Sequence, residues 1–203
     1  MKHTITHERP RILDRVEEEG FVTFDGQFDL NLIGLRSPSV EANKFDDHFF
    51  VVCKVDDLWY QWIFECTTDP GSYWLENPSR VSGTAIMMHP QQARSVYKLD
   101  LHGGKYEALC QRNGTVQVWR DSNKDEVLDR SGDIETGWFG INIHRASSHR
   151  EVEEVERYSA GCTVIQDPED FKKLIELCHK QVETIGVDTF TYTLIAGVIE
   201  ELI

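Results

Sequence analysis

The chain has 203 residues, 40% of them hydrophobic, and a formal net charge of −14 at pH 7. This length and apolar content predict one globular domain with a single core and exclude a disordered chain. The strong negative charge opposes nonspecific binding to nucleic acid and to anionic membrane surfaces, so we expect neither as a partner.

The first segment, residues 1–19, is charged with a few apolar positions and predicts an N-terminal arm or a short helix. It has no apolar stretch of the signal-peptide type, and no run in the chain reaches the roughly 18 apolar residues of a membrane span. We therefore expect synthesis in the cytoplasm without a signal peptide and without a membrane span. A virion-associated protein or an enzyme released at lysis would need neither.

Residues 20–203 predict a single domain in which strands dominate. Asp25-Gly26 predicts a hairpin of residues 21–24 with 28–35, and Asp56-Asp57 predicts a second hairpin of residues 49–55 with 59–66. Residues 67–95, with several prolines and glycines, predict a long surface loop. Further strands are predicted at 96–101, 106–111, 116–120, 139–144 and 189–195.

One helix stands out near the C-terminus. Asp167-Pro168 predicts its start, and an apolar face that includes Phe171 and Leu174 continues to about Glu183. One amphipathic helix among many strands predicts an α+β, mainly β, sandwich-like domain.

The five cysteines include no CxxC pair, so they predict free thiols rather than a disulfide framework. Cys53, Cys66 and Cys110 lie in apolar segments, where buried and unreactive thiols are expected.

The histidine and cysteine spacing is not of the zinc-site type, so no metal or other cofactor is expected. Residues 121–129 alternate oxygen-bearing side chains but lack the glycine and the final acid of a calcium loop, which leaves a structural calcium ion as an alternative.

The strongest functional signal is Ile143-His144 followed, after 14 residues, by Ser159-Ala160-Gly161-Cys162. A cysteine nucleophile needs a base, because a free thiol is ionised only to a few per cent at neutral pH. The glycine before the cysteine permits a tight turn, in which nearby N–H groups can point at a developing oxyanion. His144, Gly161 and Cys162 are therefore the predicted catalytic residues.

This pattern resembles the signature of the L,D-transpeptidase (YkuD-like) catalytic domain, a histidine followed at a similar distance by Ser/Thr-His-Gly-Cys. Residues 136–141 resemble the lead-in to that signature, and the match is dense over residues 134–167. Ala160 departs from the second histidine of the signature, and Val164 from its Arg or Asn. The resemblance implies a β-sandwich-like catalytic fold and peptidoglycan stem peptides as the substrate.

In the mechanism that the resemblance implies, His144 takes the proton of Cys162 and the thiolate forms a thioester with the stem peptide. An amine acceptor then completes transpeptidation, or water completes hydrolysis. The predicted substrate-binding residues are Ser159, Arg145, Trp138 and His149. Arg145 could clamp a carboxylate, because its planar guanidinium suits bidentate recognition. Ser159 supports the loop or bonds the site, and Trp138 walls the site or packs in the core.

Two alternatives remain open. Cysteine peptidases of the NlpC/P60 and papain-like classes place the cysteine before the histidine, and here only His179, on the predicted helix, follows Cys162. That chain order disfavours them. The other alternative is a noncatalytic phage virion structural or wall-binding module that retains the fold, which the negative charge and the altered motif positions favour.

Overall fold

A computed structural model describes residues 2–202, in which strands predominate. The strands are β1 (Lys2–Thr6), β2 (Asn31–Arg36), β3 (Asp47–Val55), β4 (Leu58–Thr67), β5 (Thr84–Met87), β6 (Gln91–His102), β7 (Tyr106–Gln111), β8 (Val116–Asp121), β9 (Glu135–Gly137), β10 (Ile143–Arg145), β11 (Thr163–Ile165) and β12 (Thr189–Ala196). The helices are α1 (Arg11–Glu18), α2 (Ser72–Glu76) and α3 (Pro168–Ile185), and a 3-10 turn follows at Ile199–Glu201. The predicted mainly β class and the C-terminal helix are confirmed, and two shorter helices accompany that helix.

Eight strands form a closed sheet in the order β4-β11-β10-β7-β6-β12-β2-β3, in which β3 pairs back to β4. β1 adds to β4 outside this ring, and β5, β8 and β9 form a separate small sheet. The large sheet is therefore barrel-like and not specifically the sandwich that the strand pattern predicts. Closure leaves few free strand edges among the described residues, which limits pairing with other chains.

The apolar strands are buried on both faces, and this explains their continuous hydrophobic runs. In β3, Phe49 and Val51 point into the ring, whereas Phe50 and Val52 alternate outward to pack with α1. α3 contributes its apolar face to the interior cluster. Its start is capped by the Asp167 side chain, which accepts the Glu169 N–H at 2.7 Å.

The hairpin predicted around Asp56-Asp57 is confirmed by the antiparallel pairing of β3 with β4. The hairpin predicted around Asp25-Gly26 is wrong, because most of residues 21–30 is irregular. β2 pairs instead with β12 in parallel and with β3. A partner so distant in the chain leaves no trace in local periodicity.

Two further segments differ from prediction. Residues 67–95 contain α2, β5 and the start of β6, so they are not one loop. The strand predicted at 139–144 is reduced to β10, because the N–H groups of 139–141 donate to the Gln111 side chain instead of to a neighbouring strand. The strands predicted at 96–101, 106–111, 116–120 and 189–195 are confirmed as parts of β6, β7, β8 and β12.

Within the described residues, none of the helices has the length and apolar character needed to cross a membrane.

Candidate active site

The predicted base and nucleophile lie on neighbouring parts of the closed sheet. β10 and β11 pair in parallel, with Ile143 opposite Thr163 and His144 opposite Val164. Cys162 directly precedes β11, so strand alternation directs its side chain to the same face as those of Val164 and His144. Residues far apart in the chain are thus brought to one face by parallel pairing.

Cys162 differs from the other cysteines in its exposure. All five lie within the described residues; four are buried, and Cys162 is partly exposed. Its Sγ accepts the Asn142 N–H at 3.4 Å, and the thiol donates to the Gly140 carbonyl at 3.7 Å. Burial raises the pKa of the Cys162 thiol to about 11, while the Asn142 N–H opposes the rise and Cys110 adds to it. The resting group is therefore a protonated thiol. The buried state predicted for Cys53, Cys66 and Cys110 is confirmed.

His144 is buried, and its proton is fixed on one ring nitrogen. Nδ1 lies 2.9 Å from the Arg145 carbonyl, which can only accept, so Nδ1 carries the proton and Nε2 keeps its lone pair. Burial, with a smaller contribution from His102, lowers the pKa of His144 to about 4, and the hydrogen bond to the Arg145 carbonyl opposes the shift. The imidazole is therefore neutral at physiological pH. Within residues 2–202, no hydrogen bond joins His144 to Cys162, so the resting pair is not an ion pair.

A second histidine and an asparagine complete this cluster. The His102 ring stacks on His144, with 4.2 Å between centroids and 22° between planes. Asn142 Nδ2 donates to His102 Nδ1 at 3.1 Å, while the Asn142 backbone N–H meets the Cys162 sulfur. Tyr106 places its hydroxyl 3.4 Å from His144 Nδ1. Asn142 therefore connects the environment of the thiol to that of the base.

A buried glutamine fixes the loop that faces the thiol. Gln111 Oε1 accepts three successive N–H groups, from Phe139 at 3.2 Å, Gly140 at 2.9 Å and Ile141 at 3.2 Å. Its Nε2 donates to two further carbonyls. Because Gly140 presents its carbonyl to the Cys162 thiol, Gln111 sets the position of a group that contacts the nucleophile. The sequence does not single out Gln111 or Asn142, and it places His102 in a turn without a partner, where a structural role is expected.

The turn before Cys162 requires glycine and is braced by serine. Gly161 has φ 112°, and a Cβ there would lie 2.2 Å from the Ala85 carbonyl oxygen. The fully buried Ser159 accepts the Gly161 N–H at 3.2 Å and donates to the Cys162 carbonyl at 2.8 Å. The Gly161 N–H is engaged in this way, whereas the Ala160 and Cys162 N–H groups of this turn make no hydrogen bond among the described residues. Ser159 thus supports the loop, and its burial removes it from a substrate surface.

The other predicted substrate-binding residues lie in three different surroundings. Arg145 alternates with His144 along β10 and lies over the Tyr106 ring, 4.0 Å from its centroid, in a groove beside α3. His149 is in an exposed loop, where its N–H donates to Ser147 Oγ. Trp138 is 57% exposed and follows β9, so it is not a core residue. Arg145 therefore packs on Tyr106, whose hydroxyl lies 3.4 Å from His144 Nδ1.

The loop predicted as an alternative calcium site turns its side chains onto its own backbone. Asp121 accepts the Asp129 N–H at 3.0 Å, and Asp125 accepts the Val127 N–H at 2.9 Å. Across residues 2–202, no cluster of three or more histidine, cysteine or acidic side chains has an arrangement that could hold a metal ion.

Comparisons of the chain with models of protein families, with curated proteins and with solved structures found no match. The resemblance to L,D-transpeptidases depends on the motif residues themselves, His144, Ser159, Gly161 and Cys162. A function for this site has to be argued from their chemistry.

Proposed function

We propose that the protein catalyses cysteine-dependent acyl transfer or hydrolysis on peptidoglycan stem peptides, with Cys162 as nucleophile and His144 as base. One observation carries the chemistry: the one partly exposed cysteine shares a sheet face with a neutral histidine whose Nδ1 is held by a carbonyl. That hydrogen bond leaves the lone pair of Nε2 to accept a proton. The motif resemblance supplies the substrate class.

The reaction would proceed through a thioester. Cys162 Sγ attacks the scissile carbonyl carbon as His144 Nε2 takes the thiol proton, and the carbonyl π electrons move onto oxygen. The unpartnered Cys162 N–H donates to that oxyanion. Collapse restores the carbonyl and breaks the C–N bond, and the departing amine takes the proton from His144. An amine or water then attacks the thioester and releases the Cys162 thiol.

The two pKa shifts dictate when the proton moves. Burial raises the pKa of Cys162 to about 11 and lowers that of His144 to about 4, so a thiolate–imidazolium pair is disfavoured at rest. Proton transfer therefore has to accompany attack on a bound carbonyl. The expected consequence is a slow reaction of Cys162 with simple alkylating reagents at neutral pH.

The second candidate function is a noncatalytic virion structural or wall-binding module. The observation that favours it is the same pair of pKa shifts, together with the missing hydrogen bond between thiol and imidazole in the described chain. In this interpretation Cys162 is a polar surface group in a binding site and forms no covalent intermediate.

Incubation with defined tetrapeptide and pentapeptide muropeptides, read by mass spectrometry, separates the two candidates. The intact protein should give a cross-linked or shortened product, and Cys162→Ala should give none while retaining its circular dichroism spectrum. His179→Ala is the matched histidine control, because His179 lies on α3 and pairs with Glu107 at 2.6 Å. Loss of product in His179→Ala would favour a cysteine-first peptidase, and absence of product with every stem would favour the binding module.

A further inference from the structure

A small pocket lies against the turn that carries Cys162. It has a volume of about 120 Å³, and its walls include Trp74, Arg80, Ala85, Arg120, Phe139 and Ala160. Ala160 is two residues before Cys162, and Phe139 directly precedes Gly140, whose carbonyl accepts from the thiol at 3.7 Å. The backbone of Ala85 packs against Gly161. Three walls of the pocket are thus continuous with the groups that surround the sulfur.

Two arginines give this pocket a positive charge in a chain whose formal net charge is −14. Arg120 donates to Glu135 Oε2 from Nε at 3.0 Å and from Nη2 at 2.8 Å. Its guanidinium also lies 4.9 Å from the centroid of the Phe139 ring, which holds it in place. The exposed Arg80 side chain has no hydrogen-bonding partner in the described part of the chain. Glu135 attracts both arginines and offsets one of the two charges, so the pocket keeps one net positive charge, and the Arg80 guanidinium keeps its hydrogen-bond donors.

Exposed apolar side chains flank the same residues. Val81 follows Arg80, Ile134 precedes Glu135 and Trp138 precedes Phe139, and all three are among the exposed large hydrophobic residues. These three side chains are sequence neighbours of residues at the pocket, which itself has one net positive charge and lies against the turn that carries the candidate nucleophile.

We propose that this pocket binds a carboxylate of the acyl donor, with Arg80 as its principal ligand and Arg120 as a second, fixed donor. This inference rests on the function proposed for Cys162, and it narrows the substrate class to peptides with a free carboxylate near the scissile carbonyl. A guanidinium binds a carboxylate through two parallel hydrogen bonds. The single free charge and the small volume match a monoanionic carboxylate better than a phosphate dianion.

Alkylation of Cys162 tests the pocket without any peptide. Iodoacetate and iodoacetamide react with the same thiol, but only iodoacetate carries a carboxylate, so the ratio of their rates cancels any change in thiol pKa. The ratio of the iodoacetate rate to the iodoacetamide rate at Cys162 should be higher in the folded protein than in the urea-unfolded chain. Arg80→Gln should lower this ratio in the folded protein by about tenfold, as expected for the loss of a charge-assisted hydrogen bond. Arg11→Gln, which removes the same charge from α1, should leave the ratio unchanged. An equal ratio in the native protein and Arg80→Gln would overturn the pocket assignment.

A binding measurement covers the case in which neither reagent reaches the thiol. Trp74 lines the pocket, so tryptophan fluorescence can follow titration with N-acetyl-alanine and with its amide. The acid should bind at least about fivefold more tightly than the amide in the native protein and equally in Arg80→Gln. Equal affinities in the native protein would reject the proposal.

Peptide turnover separates failure of the pocket from failure of the proposed function. Acid and amide forms of the same stem should differ by about tenfold or more in kcat/KM, and Arg80→Gln should abolish that difference. If no stem reacts but the alkylation and fluorescence preferences disappear in Arg80→Gln, the carboxylate pocket stands and the acyl-transfer function falls. If stems react without an acid preference, the function stands and the pocket assignment falls.

Discussion

His89 and His144 are both neutral at physiological pH, because burial lowers the pKa of each to about 4. Their ring nitrogens have different partners. His89 Nδ1 lies 2.9 Å from Arg36 Nη1, which only donates, so that lone pair is occupied. His144 Nδ1 donates to a carbonyl and leaves the Nε2 lone pair available. The hydrogen-bond partner, not the pKa, thus distinguishes a structural histidine from a candidate base.

The groups that surround His89 also differ from those that surround His144. Around His89, the fully buried Arg36 donates to the Met87 carbonyl at 2.6 Å and to the Thr68 carbonyl at 2.7 Å, and Asp69 binds Arg130 at 2.6 Å. These bonds tie β2 and the end of β4 to the small sheet. Around His144 the contacting groups are the His102 ring, the Tyr106 hydroxyl and the Arg145 carbonyl. The first region stabilises the fold, and the second leaves the nearby Cys162 thiol partly exposed.

The largest expected effect comes from exchanging each histidine for glutamine. His144→Gln should lower kcat/KM on a reactive stem by roughly 100- to 10,000-fold, because glutamine cannot accept the thiol proton. His89→Gln should change kcat/KM less than threefold, since the amide oxygen can still accept from Arg36. Steady-state kinetics on folded variants would measure both. Equal losses in the two variants would contradict the distinction between the histidines.

The next effect is on stability. Arg36→Met should lower the free energy of unfolding by about 3–5 kcal/mol, because it leaves the buried Met87 and Thr68 carbonyls without their donor and removes the positive charge 3.4 Å from buried Asp69. Arg112→Met, which breaks an exposed pair with Asp100 at 2.6 Å, should cost less than about 1 kcal/mol. Urea unfolding of the three proteins gives these values. Comparable losses would show that the buried cluster has no special structural role.

A smaller effect is expected in the pH dependence of turnover. His144 accepts a proton only when neutral, so kcat/KM should rise as pH increases through about 4 and stay level to neutrality. A cysteine that must first ionise would instead gain activity as pH approaches its own pKa. Initial rates between pH 3.5 and 8, with circular dichroism as the control for folding, would measure this profile. A rise centred above pH 6 would contradict the assignment of a buried, neutral base.

Local signals in the sequence predict the elements that depend on local contacts. The capped start of α3 at Asp167 and the hairpin at Asp56-Asp57 are confirmed, since a cap and a tight turn are each formed by a few adjacent residues. The pairing of β2 with β12 and the short strand β11 escape prediction because their partners lie far away in the chain. Periodicity carries no information about such pairings.

In the candidate site, too, local features are visible in the sequence, whereas contacts between distant strands are not. The spacing of His144 and Cys162 is visible in the sequence, and the parallel pairing of β10 and β11 brings them to one face. Asn142, adjacent to the motif, has no special local pattern, and Gln111 acts from β7 across the sheet. Their roles depend on contacts between strands.

The most direct test of the account is detection of the thioester itself. The intact protein, quenched with acid shortly after mixing with a reactive stem peptide, should carry the acyl mass, and peptide mapping should locate it on Cys162. His144→Gln should accumulate far less adduct, and Cys162→Ala none. Product formation without any adduct on Cys162, or an adduct that persists in Cys162→Ala, would contradict the proposed mechanism.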